Sequence, residues 1–329
     1  MKRSTIALSA LLLILIAAAF LYFNSESEPD NIFHLEDSSI VTEIEMEKVV
    51  RGEKLEEIKL TKKDGSTWTI DDQYTAIQGK VDNLLKTLTQ IRVTANVGME
   101  GQESALQLLK KNHTRVKISG EDGELKEYLI GATDSQHSAN IMMIEGGEKV
   151  YLVSKPGFQG YVSVFYNTKT IEWRERVLFN LTPQNLKRLK VDYPTTPDQQ
   201  GFDLRRDKNG DPWMAGEGVV ADVDRVSGFV ELFEGKISAE SFANAAFPEM
   251  RDSLERRDPD VIFAYETLDG TSGTLNLFTR PDNLNNYFGY LNGRTELYTI
   301  QRFVMDKYLK TNGYFVPSVV IKEPAEAFP

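Results

Sequence analysis

The chain of 329 residues carries a formal net charge of -11 and contains no cysteine. Disulfides, thiolate metal sites, a thiol nucleophile and a lipidated cysteine are therefore all excluded. The acidic balance also argues against a broad phosphate-binding surface, so nucleic acid is not an expected partner.

At the N-terminus Met1-Lys2-Arg3 precedes Ile6 to Phe23, a stretch without a charge. As a helix it would span roughly 27 Å, close to the hydrocarbon core of a bilayer. Basic residues precede it, and Glu26, Glu28 and Asp30 follow it. The positive-inside rule then places the N-terminus in the cytoplasm and the bulk of the chain in the periplasm or otherwise outside the membrane, as a single-pass inner-membrane protein. Residues 1–23 read as an uncleaved anchor, with a signal peptide cut near Ala17-Ala18-Ala19 as the alternative. A cut there would leave Phe20-Leu21-Tyr22-Phe23 at the new terminus. Residues 24–32 are polar and acidic and read as a linker.

Thr42 to Glu47 and Glu57 to Thr61 alternate apolar and polar, as half-buried strands do. Asp64-Gly65 supplies a tight turn that returns the chain along Ser66 to Ile70, with Trp68 and Ile70 facing a core shared with Ile58 and Leu60. Ile77, Val81, Leu84, Leu85, Leu88 and Ile91 predict a helix with one apolar stripe. A shorter helix is expected near Glu103 to Lys111. Val116 to Ser119, Glu127 to Ile130, Ile141 to Ile144 and Val150 to Val153 read as antiparallel strands. Strands and helices in separate blocks predict an α+β fold.

The pattern recurs about 145 residues later: Ile44 meets Leu189, Met46 meets Val191, Gly65 meets Gly210, Trp68 meets Trp213 and Leu88 meets Phe233. The same offset pairs Val116 with Val261, and 146 residues pair Gly147 with Gly293. So long a period means two copies of a domain-sized unit. The expected organisation is a first α+β repeat at 33–166, a connector at 167–180, a second repeat at 181–312 and a tail at 313–329. In the second copy Pro212 predicts an edge or irregular strand, and Ser227-Gly228 interrupts the matched helix.

The string Gly65-Ser66-Thr67-Trp68-Thr69-Ile70, the Tyr151-Leu152-Val153-Ser154 strand and Trp173-Arg174-Glu175-Arg176 resemble an uncharacterised bacterial family, domain of unknown function 4340. The resemblance implies an envelope protein with one N-terminal membrane segment. In some genomes such proteins are similar in setting to auxiliary parts of gliding-type ABC transport systems. It implies no catalytic residues.

Among chemistry-bearing residues, His34, His113 and His137 lie far apart, without the three- or four-residue spacing of a helical metal site. No metal or cofactor is expected. His113 follows a predicted helix end, where a cation suits the helix dipole. Asp207 to Asp211 resembles the start of a calcium loop, but Pro212 and Gly218 stand at its sixth and twelfth positions, so a hairpin turn is expected. Asp222 with Asp224, and Asp258 with Asp260, are close carboxylates whose plain reading is a helix N-terminus and a solvated loop. The candidate partner- or ligand-facing residues are Trp173, Arg174, Arg176, His137, Asp222 and Asp224. A binding or scaffold role in an envelope assembly, in its sharper form an assembly of the ABC-transporter type, is the favoured expectation. An envelope hydrolase using a carboxylate pair and a structural spacer are the alternatives.

Overall fold

The computed structural model describes residues 32–215 and 221–316. The expected anchor at residues 6–23 and the tail from residue 317 lie outside the described residues. No helix among the described residues is long and apolar enough to cross a membrane. The chain divides into two compact units, Met1–Arg174 and Glu175–Pro329, so the boundary falls inside the stretch expected to be a connector. Both are α+β with antiparallel sheets.

In the first unit the chain runs β1 (Val41–Val50), β2 (Glu53–Lys62), β3 (Trp68–Ile70), β4 (Tyr74–Thr75), helix α1 (Gln78–Gln90), β5 (Arg92–Asn96), helix α2 (Met99–Lys111), β6 (Asn112–Gly120), β7 (Gly123–Thr133), β8 (Asn140–Ile144) and β9 (Tyr151–Ser154). The sheet order is β4-β3-β2-β1-β6-β7-β8-β9-β5. The hairpin between β2 and β3 turns at Gly65, whose φ of 59° suits a residue without a Cβ. Ile58, Leu60, Trp68 and Ile70 are buried together. The stripe of α1 buries Val81, Leu84 and Leu88 against Ile44, Met46, Val116 and Ile118. Each large side chain so buried contributes roughly 1.5–3 kcal/mol. Helix α2 covers the other face, where Ala105 and Leu109 meet Leu129, Met143 and Val150. Gly131 permits this approach: a Cβ there would stand 2.5 Å from Leu109 Cδ1.

The second unit contains β10 (Val177–Leu181), β11 (Leu186–Asp192), β12 (Phe202–Arg205), β13 (Met214–Ala215), helix α3 (Val223–Val230), β14 (Gly235–Ser238), β15 (Ser241–Phe242), helix α4 (Met250–Glu255), β16 (Val261–Thr267), β17 (Ser272–Thr279), β18 (Asn286–Leu291) and β19 (Tyr298–Gln301). β10 pairs with β14, and the large sheet has the order β13-β12-β11-β16-β17-β18-β19-β15. Its core is rich in rings. Phe179 stacks on Phe263 with centroids 5.1 Å apart, and Phe233 lies 4.5 Å from Tyr308.

The strand registers correct the offsets read from sequence. Ile44 pairs with Ile118 and Leu189 with Tyr265; Met46 pairs with Val116 and Val191 with Phe263. Val116 thus shares its place with Phe263, not Val261, an offset of 147. The same 147 holds for Met142↔Tyr151 against Gly289↔Tyr298. It also joins Gly146 to Gly293, the two turn glycines with φ of 74° and 77°, where the sequence suggested Gly147. The slip has a physical source. α2 passes straight into β6, whereas residues 256–260 separate α4 from β16.

Other departures are local. α3 continues through Ser227-Gly228 because both face solvent. Trp213, expected in the core, is only half-buried, with the Arg206 guanidinium 4.8 Å over its ring; Pro212 leaves β13 two residues long at the sheet edge. The Asp207–Asp211 loop is a turn in which Asp211 Oδ2 accepts from the Lys208 N–H at 3.0 Å.

Candidate functional site

The six residues singled out from sequence are divided between the two units. His137, Trp173 and Arg174 belong to the first unit, and Arg176, Asp222 and Asp224 to the second. Trp173 is a core residue, only 3% exposed, and its indole N–H donates to the Asn167 carbonyl at 2.7 Å. Its own carbonyl accepts from Ile77 N–H, just before α1, at 2.7 Å. In the second unit the Phe315 carbonyl accepts from Asp222 N–H, just before α3, at 2.9 Å. Trp173 is thus held inside the first unit, with its ring buried. Arg174 lies 3.9 Å over the Tyr74 ring. Arg176 accepts through its carbonyl from Ala239 N–H at 2.8 Å.

Asp222 is an N-cap: its Oδ1 accepts from Arg225 N–H at 3.1 Å. Asp224 is exposed in the first turn of the same helix, where the dipole favours an anion. In the other close pair the fold uses Asp260. Asp260 Oδ2 accepts from Thr279 N–H at 2.7 Å and Oδ1 from the Thr195 hydroxyl at 3.1 Å. His137 stands at φ 55° on an exposed loop organised by Asp134, which accepts from Ser138 N–H at 2.7 Å and Ala139 N–H at 3.1 Å. These bonds hold the Asp134 carboxyl below its usual range, the Ala139 bond most of all.

A feature the sequence reading passed over is the second face of the first sheet. Alternation that buries Ile44 and Met46 places Glu43, Glu45 and Glu47 on the opposite side of β1. Lys59 lies 2.7 Å from Glu43 and 3.7 Å from Glu45; Lys54 lies 2.8 Å from Glu57 and 3.3 Å from Glu47. Lys117 meets Glu124 at 3.5 Å. Burial, together with Glu124 and Glu145, pushes the Glu127 carboxyl up. Ion pairs within and across strands line this face, on which glutamates exceed lysines, an arrangement suited to meeting a polar, cationic surface. The alternating glutamates of β1 were its sequence signal.

Two concavities accompany it. One of about 650 Å³ at the end of the first sheet is lined by Ser39, Thr42, Lys62, Lys63 and Asp122. The other, about 280 Å³ in the second unit, holds Tyr193, Asp260, Tyr287, Arg302 and Asp306. There the Tyr287 hydroxyl donates to Asp306 at 2.7 Å while Arg302 lies 4.5 Å over the ring. Burial first, then Asp306, raises the Tyr287 phenol well above its usual range.

A family described as a domain of unknown function, DUF4340, matches residues 68–252, more than half of the chain. The chain belongs to this family. The DUF4340 match starts at β3 of the first unit and ends within α4 of the second, so it spans the boundary between the units. No curated protein and no solved structure matches the chain.

Proposed function

We propose that this DUF4340 protein is a membrane-anchored, extracytoplasmic binding or scaffold protein that serves an envelope assembly of the ABC-transporter kind. The observation that carries the reading is the glutamate-rich part of the first sheet's second face, on β1 and β2, beyond the strands that α2 covers. It is polar, while in the two close carboxylate pairs Asp222 is engaged as a helix cap and Asp260 by Thr279 and Thr195. The anchor rests on the uncharged stretch at residues 6–23 and its flanking charges.

The units are read as tandem copies of one α+β plan. Support comes from the shared sheet order, the constant register offset from β6 and β16 onward, and matched bonds outside the sheets. Ala76 N–H donates to the Trp68 carbonyl and Ala221 N–H to the Trp213 carbonyl, both at 2.9 Å.

The test is crosslinking of the full chain in its native membranes, followed by capture. An ABC-type permease recovered with the wild type and lost with Glu45→Lys/Glu57→Lys is the expected outcome. Recovery of background proteins alone would sink the assembly reading. Equal permease capture by the charge-reversed variant would remove the sheet face from it.

A further inference from the structure

His113 is buried, 6% exposed, where α2 runs into β6. Its Nδ1 lies 2.8 Å from the Leu109 carbonyl, one of the last acceptors of α2. That bond places the proton on Nδ1 and leaves Nε2 as the bare nitrogen. Nε2 is fully buried and has no hydrogen-bond partner. Alternation along β6 sets His113 on the face opposite Val116 and Ile118, the face that α2 covers.

We infer that the α2–β6 junction is an acid-sensitive latch: a proton taken up at His113 Nε2 releases the last turn of α2 and uncovers Leu129 and Met143. The new N–H would have no acceptor, and the cation would sit in a water-poor seam. The charged groups around it come from each neighbouring element. Arg115 on β6 opposes a second cation, while Glu47 on β1 and Glu145 after β8 favour one; Lys110 and Lys111 at the end of α2 are exposed. Burial outweighs the rest and holds the imidazole below its ordinary range. Dipole stabilisation of a charged His113, expected from sequence, is thus the weaker effect.

The direction of the pH dependence follows. The docked state disfavours the protonated ring, and the released ring regains its ordinary affinity. Docking is therefore complete above the usual histidine range and weakens as pH falls below it. The second unit supplies a control. At the 147 offset the matched residue is Asp260, which accepts from Thr279 N–H and has no imidazole to titrate.

The test is hydrogen exchange of the full chain at about pH 7.5 and about pH 5, corrected for intrinsic rates, with His113→Gln alongside. Wild-type α2 should lose protection by about tenfold per pH unit within the window, with α1 and α4 unchanged and the variant flat. PH-independent protection of α2, equal loss in His113→Gln, or joint loss from α1 and α2 would each overturn the latch. Should the variant not fold, ring titration of the wild type by NMR decides the matter. His113 must titrate below the ordinary histidine range and in the pH range where α2 opens; titration within the ordinary range would overturn the proposal.

Discussion

Beneath α1 the first unit packs aliphatic side chains, whereas beneath α3 the second packs rings: Leu84, Leu88 and Val116 in one compare with Phe229, Phe233 and Phe263 in the other. The helix changes with them, from 13 residues in α1 to 8 in α3. One sheet order accepts both solutions because a core is constrained by total volume and patterning more than by residue identity. The outer faces diverge in the same way. Gly131 lets the 13-residue α2 lie close, whereas Phe278 stands at the matched position under the 6-residue α4.

The strongest challenge to this comparison is truncation at matched core positions. Phe233→Ala should cost about 3–5 kcal/mol and Leu88→Ala about 2–5 kcal/mol. In calorimetry of the full chain, each should lower the transition of its own unit alone. A common shift of both transitions would show that the units do not melt separately. Next comes Gly131→Ala, which forces a methyl against Leu109 and should destabilise the first unit by about 1–3 kcal/mol. Exchange protection in α2 is the measurement, and an unchanged α2 would remove the argument for close helix approach.

Smaller effects sharpen the contrast between helix starts. α3 is capped by Asp222, whereas Ile77 at the head of α1 offers no side-chain cap. Asp222→Ala should cost about 1 kcal/mol, read as a lower denaturation midpoint, with activity in membrane capture retained. Smallest is Gly228→Ala. A Cβ there meets open space, so the change should stabilise α3 by about 0.5–1 kcal/mol. A loss of stability instead would mean the exposed helix face is covered in the folded protein.

Sequence reading succeeded where one physical signal dominated. The Val81, Leu84 and Leu88 stripe and the Gly65 hairpin follow from periodicity and turn chemistry alone. β5 escaped notice because Arg92–Asn96 is a largely exposed edge strand, closing the sheet through β9 with an irregular register and no alternation to read. The two-residue slip was hidden because Val261 is also buried, so Val116 could be matched to either apolar position of β16. For the candidate site, the helix start at Asp222 was legible in the sequence, but the engagement of Asp260, expected in a solvated loop, was not, because Thr279 N–H and the Thr195 hydroxyl are brought near it only by folding. Trp173 looked like a connector residue because the core that receives it is assembled from strands between β1 and β9 that only folding brings to it.

The claim at the centre of this account is that the first unit's glutamate-rich sheet face is the docking surface of the protein. Site-specific photocrosslinking tests it most directly, with the reactive group placed at Glu45 or, in the second sheet, at Asp203, whose carboxylate is held by Arg188 at 2.8 Å. In native membranes the account predicts a discrete adduct with one ABC-type permease from position 45 and none from position 203. No adduct from position 45, or the same adduct from both positions, would contradict it.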